Sequence, residues 1–292
     1  MALLLQCVVD MRLGDERSSN IEDRRGGGGF GIPVVGGGIG AVVIALLALL
    51  FRGTPGQINV QTQDQQRPSA QAPAQPGQDP QEEFVSAVLA DTETTWHDIF
   101  RTEVGKDYVE PKLVLFTDAV QSACGIAQSA TGPFYCPEDH KVYLDMGFFR
   151  ELDQRFAAPG DFARAYVIAH EVGHHVQYLL GIADQVESLR DRASRRSANA
   201  LSVRVELQAD CFAGVWANHA DKMRHILEQG DIEEGLNAAS AIGDDRLQRE
   251  ARGYVTPDSF THGSSSQRVR WFKQGLQGGK ISSCDTFNTP DL

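Results

Sequence analysis

The chain has 292 residues, of which 41% are apolar, and its formal net charge is −12 at neutral pH. This length and apolar content allow a substantial hydrophobic core. The acidic balance excludes a large basic surface, and phosphate recognition needs clustered lysine and arginine, so we expect no nucleic-acid partner.

The first eighty residues differ in composition from the rest. Residues 12–29 are polar, charged and glycine-rich, and residues 1–29 are predicted to be a disordered tail. Residues 30–52 contain the uncharged run IPVVGGGIGAVVIALLALLF, long enough for one transmembrane helix across about 30 Å of hydrocarbon. A cleaved signal peptide is the alternative, but its apolar region is usually shorter. Residues 53–80 are rich in Gln, Pro and Ala and are predicted to be a linker.

The arginines around the apolar run predict its orientation. Arg12, Arg17, Arg24 and Arg25 precede the run, whereas Arg52 and Arg67 follow it. By the positive-inside rule the N terminus lies in the cytoplasm and most of the chain lies outside. The expectation is therefore a single-pass protein, attached to the membrane by one N-terminal helix.

Four cysteines lie beyond the apolar run: Cys124, Cys136, Cys211 and Cys284. Four cysteines allow three pairings, and the sequence does not choose among them. We favour Cys124–Cys136, which closes a short loop, and Cys211–Cys284, which joins the C-terminal tail to a helix. The alternative is four reduced cysteines buried as small hydrophobic side chains. An oxidising compartment outside the membrane favours the disulfides.

Residues 81–292 are predicted to form one folded domain. Helical periodicity is present over residues 83–101, and further helices are expected near 161–180, 198–220, 232–252 and 264–277. Short strands are predicted at 112–116 and 141–144, and residues 134–136 are expected to pair with the second of them. A few strands followed by a run of helices predict an α+β fold that is mostly helical with a small β-sheet.

Residues 170–174, HEVGH, have the spacing of a catalytic zinc site. His170 and His174 are four residues apart on a predicted helix, so both imidazoles project from one face within reach of one ion. Glu171 lies beside the first histidine, where its carboxylate can take a proton from a zinc-bound water. The alternative is an ordinary helix with two surface histidines.

A third ligand is expected on a second helix, in the segment VRVELQADCF. Glu206 and Asp210 are again four residues apart, among apolar neighbours, and buried carboxylates need a partner such as a metal or an imidazole. Glu206 is the predicted ligand, and Asp210 is predicted to accept the free N–H of a ligating histidine. The alternative is a solvated acidic face. Rival third ligands are His219, His225, His262 and, more remotely, Cys211.

His262 stands where a loop is predicted to enter a helix, in THGSSSQRVRWF. Amide hydrolysis passes through a tetrahedral intermediate, and a donor aimed at the developing oxyanion stabilises it. We predict His262 for that role, with a structural histidine as the alternative. Tyr143 is the second choice of donor.

These motifs together resemble the bacterial neutral zinc metallopeptidase family. The resemblance rests on SSNIEDRRG, CGIAQSATGPFYCPEDHKVYLD, HEVGHHVQ, VELQADCFAGVWA, AIGDDRLQ and HGSSSQRVRWF, and covers nearly the whole chain from Met11. It implies a zincin-like domain with a gluzincin-like Glu-x-x-x-Asp arrangement. It also implies Zn²⁺ held by His170, His174 and Glu206, with Glu171 as the base.

The expected protein is thus a membrane-anchored zinc metallopeptidase that hydrolyses peptide bonds in a peptide or protein substrate, with Glu171 as general base and a zinc-activated water as nucleophile. Its expected place is the bacterial cytoplasmic membrane, with the zincin-like domain on the periplasmic or extracellular side after one transmembrane helix. Two alternatives stay open. One is a zinc amidase that acts on cell-wall or other non-protein amides, and the other is a catalytically idle binding module with a zincin fold.

Overall fold

The computed structural model describes residues 11–25, 79–128 and 132–292. The strands are β1 (Ile21–Asp23), β2 (Lys112–Phe116), β3 (Ala119–Ser122), β4 (Gly125–Gln128), β5 (Phe134–Cys136) and β6 (Lys141–Asp145). The helices are α1 (Pro80–Ile99), α2 (Phe148–Gln154), α3 (Asp161–Leu179), α4 (Ile182–Arg190), α5 (Arg195–Arg224), α6 (Asp231–Ala241), α7 (Asp244–Arg252) and α8 (Ser265–Gly278). The described residues therefore form a mostly helical domain with a small sheet.

Four strands form one sheet in the order β1-β2-β6-β5, and β3 and β4 form a separate antiparallel hairpin. β2 is parallel to both of its neighbours, whereas β5 is antiparallel to β6. Alternate residues of a strand face opposite sides. Leu113 and Leu115 accordingly join the main core under the helices, whereas Val114 and Phe116 join a smaller cluster with the hairpin.

The helix α5 lies in the middle of the helical layer, against both α3 and α8. Its contact with α8 depends on glycine. A Cβ atom added to Gly275 would overlap the carbonyl oxygen of Cys211, and one added to Gly214 would overlap that of Phe272. The two helix backbones can approach this closely because neither glycine carries a side chain.

Residues 11–25 belong to this domain, and the prediction of a disordered tail is wrong for them. Ile21–Asp23 forms a parallel pair with β2. The carboxylate of Glu93 on α1 accepts hydrogen bonds from the Ser18 hydroxyl at 2.7 Å and from the Asn20 amide at 2.9 Å. The polar side chains of this segment thus find partners in the protein, which composition alone does not reveal.

The predicted transmembrane helix over 30–52 lies outside the described residues, as does most of the predicted linker. Among the helices that the structure describes, none is both long and apolar enough to cross a membrane. The pairing of β1 with β2 also holds residues 11–25 on the domain, whereas a single crossing between them would put a bilayer in between. The predictions of a preceding transmembrane helix and of a single-pass membrane location are therefore corrected, since neither is supported.

Two pairs of cysteines lie at disulfide-bond distance. The Sγ atoms of Cys124 and Cys136 are 2.04 Å apart, and those of Cys211 and Cys284 are 2.05 Å apart. The first pair joins the turn between β3 and β4 to the end of β5, and the second joins α5 to the segment that follows α8. These are the pairings that the sequence analysis favoured.

Candidate metal centre

Three side chains from α3 and α5 converge on one point. Nε2 of His170 lies 3.3 Å from Oε2 of Glu206, and Nε2 of His174 lies 3.7 Å from Oε1 of Glu206. One donor atom from each residue lies within 4.8 Å of the other two. Within the described ranges, no other group of three histidine, cysteine or acidic side chains comes together in this way.

This arrangement fits a zinc ion. Bonds of about 2.0–2.2 Å at tetrahedral angles place neighbouring ligand atoms about 3.4 Å apart, close to the separations observed here. Two imidazoles and one carboxylate also form a known donor set of catalytic zinc sites, which keep a fourth position open for water or substrate. The three residues predicted as ligands are thus placed where they can hold the metal.

Gly173, inside the HEVGH segment, allows α3 to approach α5. A Cβ atom at this position would lie 3.0 Å from the carbonyl oxygen of Ala209 and 3.2 Å from its Cα atom. A side chain here would push the two helices apart. Because the ligands come from both helices, the closeness of this contact sets the distance between the histidines and Glu206.

A buried polar network fixes the ring of His170. Its Nδ1 atom lies 2.9 Å from Oδ1 of Asp210, the partner predicted from the sequence. Arg268 donates from Nε to Oδ2 of Asp210 and from Nη2 to Oδ1, both at 2.8 Å. The hydroxyl of Tyr166 donates to the same carboxylate. Asp210 is fully buried and Arg268 is only 2% exposed, so the guanidinium balances a carboxylate that water does not reach.

The electrostatics of the cluster favour a cation. Burial lowers the pKa of His170, but the charge of Asp210 and hydrogen bonds with Asp210 and Glu206 outweigh it and raise that pKa to about 9. Burial also raises the pKa of Glu206, but His174 and His170 outweigh it and hold the pKa well below its usual range. Two ionised carboxylates therefore flank the imidazoles, and a bound metal replaces the proton that they attract.

His174 has its own orienting partner, which the sequence analysis did not identify. Nδ1 of His174 lies 2.9 Å from Oε1 of Gln177, one turn later on α3. The amide of Gln177 donates in turn to the backbone oxygen of Val205 at 2.7 Å and to Oε1 of Gln208 at 3.0 Å. Nδ1 of each histidine therefore faces a fixed acceptor, Asp210 for His170 and Gln177 for His174. This leaves Nε2 of each ring to bind a metal.

The cluster opens into a cavity of about 1010 Å³. Glu171 lines this cavity beside the two histidines and is only 7% exposed. Burial raises the pKa of Glu171, and the neighbouring histidines offset part of that shift. The Glu171 side chain therefore belongs to the same cavity wall as the two histidines.

His262 also lines the cavity. Its Nδ1 atom lies 3.0 Å from the hydroxyl of Thr261 and 3.4 Å from Oδ1 of Asp244, and its backbone N–H donates to the same carboxylate at 2.6 Å. The hydrogen bond with Asp244 raises the pKa of His262. Both side-chain partners contact Nδ1 of the His262 ring, so they do not hold the other ring nitrogen, Nε2.

The rival residues lie outside the cluster. Nε2 of His219 lies 2.8 Å from the backbone oxygen of Gly279, Cys211 is paired with Cys284, and His225 caps the end of α5. The Tyr143 hydroxyl donates to Asp139 at 2.7 Å. None of these four side chains belongs to the three-residue cluster.

Arg268 was missed as a site residue because nothing in its sequence context separates it from a surface arginine. The capping box at Ser264 and Gln267 starts α8, and one residue later Arg268 projects into the interior beside Tyr166 and Asp210. The unusual feature is its burial, which appears only once α5 and α8 are packed together.

Comparison with known proteins identifies the family. A sequence profile of the family described as "Putative neutral zinc metallopeptidase" matches residues 11–287. The chain belongs to this family. The match includes residues 11–25, in agreement with their place in the folded domain, and membership supports a zinc hydrolase in general terms.

Several relatives cover much of the chain. The uncharacterized protein YpfJ of Escherichia coli (strain K12) is 47% identical over 283 residues, which is 94% of this chain and 97% of that protein. The uncharacterized protein Rv2575 of Mycobacterium tuberculosis (strain ATCC 25618 / H37Rv) is 43% identical over 195 residues, which is 63% of this chain and 65% of that protein. No solved structure matches the chain.

Proposed function

We propose that this family member hydrolyses peptide bonds with a zinc ion held by His170, His174 and Glu206. The observation that carries the proposal is the convergence of these three donors with Glu171 beside them in one cavity. A structural zinc site is closed by four protein ligands, whereas a catalytic site uses three and keeps one position open. The cluster has three donors and lies at a cavity wall, so it resembles a catalytic zinc site.

Each neighbouring residue has a role in this chemistry. Bound zinc supplies a Lewis acid that lowers the pKa of water toward about 7 and polarises a carbonyl. Glu171 accepts the proton of the attacking water and delivers it to the leaving amine. Asp210 and Gln177 orient the two imidazoles. His262 donates to the oxyanion through the ring nitrogen that Thr261 and Asp244 do not hold.

The length of the cavity favours a peptide over a small amide. Its lining on α3 extends from Tyr166 to Tyr178, which corresponds to about 18 Å of helix. An extended chain advances about 3.3 Å per residue, so roughly five residues of a peptide fit along this face. A substrate of that length places the scissile bond near the metal ligands, which lie in the middle of the stretch.

The test compares wild type with Glu171→Gln and His174→Ala. Zinc content is measured by elemental mass spectrometry, and cleavage is measured on a mixed peptide library. Glu171→Gln should retain zinc and lose about 10²- to 10⁴-fold in kcat, whereas His174→Ala should lose zinc as well. His219→Ala, a histidine outside the cluster, is the control and should retain both. Substantial cleavage by Glu171→Gln refutes the role of Glu171, and hydrolysis of cell-wall amides alone refutes the peptidase assignment.

A further inference from the structure

The cavity follows a single stripe of α3 that passes through the metal centre. The stripe starts at Tyr166 and Val167, one turn before His170 and Glu171, and ends at Gln177 and Tyr178, one turn after His174. Positions three and four apart share one face of a helix. The cavity therefore has two ends, one on each side of the ligands.

The end near Val167 has an apolar wall. The side chains that form it come from α2, from the segment before α3, and from the region of α7: Phe148, Phe156, Ile242 and Leu247. Two hydrogen bonds join these elements near the first turns of α3. Arg164 donates to Asp153 at the end of α2 at 2.8 Å, and Arg246 on α7 donates to the backbone oxygen of Phe156 at 3.1 Å.

The charged groups at this end have partners within the protein. Arg155 lies 3.5 Å from Glu151, and Arg268 is held by Asp210. His262 lies 3.4 Å from Asp244. A charged substrate group placed against Phe156 and Leu247 would lose its hydration to apolar side chains.

The opposite end is polar and aromatic. The ring of Tyr178 stacks on that of His140 with 4.1 Å between centroids, and Gln177, Glu138 and Asp184 also line this part of the cavity. The chemical difference between the two ends means that they accept different side chains from a peptide that runs along α3.

We infer that the end near Val167 is a specificity subsite for a bulky apolar side chain next to the scissile bond, with Leu247 as a determining residue. This inference rests on the proposed peptidase function and names its substrate class: peptides with a residue such as leucine, phenylalanine or methionine at one position beside the cleaved bond. Leu247 is half-buried and lines the cavity, so a substrate side chain can complete its burial.

The experiment maps cleavage sites of the zinc-loaded wild-type protein in a peptide library by mass spectrometry. One position beside the cleaved bond should be enriched in large apolar residues. Two peptides that differ there only by leucine or alanine should then differ by about ten-fold or more in kcat/KM. Leu247→Glu should remove this preference and favour lysine or arginine at the same position.

The matched control is Leu189→Glu, which makes the same change at an exposed leucine of α4 that is not part of the cavity lining. It should leave the cleavage profile unchanged. If Leu247→Glu does not fold, Leu247→Ala provides the same test and should weaken the preference. Cleavage without an apolar preference, or a profile that Leu247 variants do not alter, overturns the subsite.

A binding measurement separates this inference from the proposed function. The leucine and alanine peptides are titrated calorimetrically into zinc-loaded Glu171→Gln protein, and the leucine peptide should bind about ten-fold more tightly. Tighter leucine binding with no cleavage by the wild type keeps the subsite and refutes the peptidase function. Cleavage by the wild type with equal binding of the two peptides refutes the subsite and keeps the function.

Discussion

Nδ1 of His170 lies 2.9 Å from Oδ1 of Asp210, across the contact between α3 and α5. The ring donates to a carboxylate at one nitrogen, and its other nitrogen faces Oε2 of Glu206, where a bound metal would replace its proton. Such an interaction fixes the tautomer and orientation of a metal-binding histidine and raises its basicity. The pair therefore connects the packing of two helices with the affinity of the proposed metal site.

Replacement of Asp210 by asparagine should weaken zinc binding by about 10- to 100-fold. Asparagine keeps the shape of the side chain but removes the charge that supports the His170 N–H. The dissociation constant of zinc is measured by competition with a chromophoric chelator. Asp258→Asn, at an exposed aspartate far from the ligands in the chain, is the control, and equal affinities in the two variants would refute the role of Asp210.

Arg268→Gln should destabilise the protein by about 3–5 kcal/mol, because it leaves the buried carboxylate of Asp210 without its charged partner. Arg268→Lys should recover only part of this loss, since an ammonium cannot make the two parallel hydrogen bonds of the guanidinium. Unfolding in urea gives the free energies. Arg270→Gln, at an exposed arginine two residues later, should have little effect; a loss as large as that of Arg268→Gln would show that burial does not matter.

The core elements of this fold follow from local sequence patterns. The predicted strands at 112–116 and 141–144 correspond to β2 and β6, and the periodic segment at 161–180 is α3. The predicted helix at 232–252 is instead two helices, because Gly243 stands at a break where its missing side chain admits Ser265. The amphipathic pattern continues across this break, so periodicity alone does not reveal it.

The candidate site was predictable where spacing carries the information. His170, Glu171 and His174 follow from one helical turn, and Glu206 and Asp210 follow from a second. The roles of Gln177 and Arg268 depend on how α3, α5 and α8 pack together. Neither glutamine nor arginine by itself indicates a metal site. The strand β1 escaped prediction for a related reason: its polar residues are stabilised by pairing with β2, a partner about ninety residues away in the chain.

Glu93→Gln should stabilise the protein at pH 7. Burial raises the pKa of Glu93 above its value in the unfolded chain. The ionised carboxylate therefore opposes folding once the pH exceeds this raised pKa. Glutamine keeps an oxygen that accepts from Ser18 and Asn20. The gain should shrink as the pH falls through the raised pKa and vanish below about pH 4, where glutamate is protonated in both states.

Urea unfolding of both proteins at several pH values checks this prediction. Glu83→Gln, at a half-exposed position on the same helix where the carboxylate pairs with Arg17, should change stability little across the range. If Glu93→Gln is instead less stable than the wild type at pH 7, the hydrogen bonds that Ser18 and Asn20 donate depend on the negative charge of Glu93. The predicted direction of the stability change is then incorrect.

Gly275→Ala should lower the free energy of unfolding by about 1–3 kcal/mol or more. The added methyl group meets the backbone of Cys211, which cannot rotate away as a side chain can. Thermal unfolding provides the measurement. Gly14→Ala has no atom within 4 Å of the new Cβ and serves as the control. A destabilisation no larger than that of Gly14→Ala would mean that α8 can shift away from α5 at little cost.

The disulfide Cys211–Cys284 is connected to the metal centre by hydrogen bonds. The backbone oxygen of Cys284 accepts from Gln208 at 2.9 Å, Gln208 accepts from Gln177, and Gln177 faces Nδ1 of His174. Cys211 also directly follows Asp210 in α5. Loss of this bond should therefore affect zinc affinity as well as stability.

The double variant Cys211→Ser with Cys284→Ser is compared with Cys124→Ser with Cys136→Ser. The first pair is separated by 73 residues and the second by 12, so chain entropy predicts losses of about 4 and about 3 kcal/mol respectively. Only the first variant should also bind zinc more weakly, because the second disulfide lies at the β3–β4 hairpin and contacts neither orienting glutamine. Equal zinc affinity in the two double variants, measured under conditions where both remain folded, would show that the C-terminal segment does not support His174.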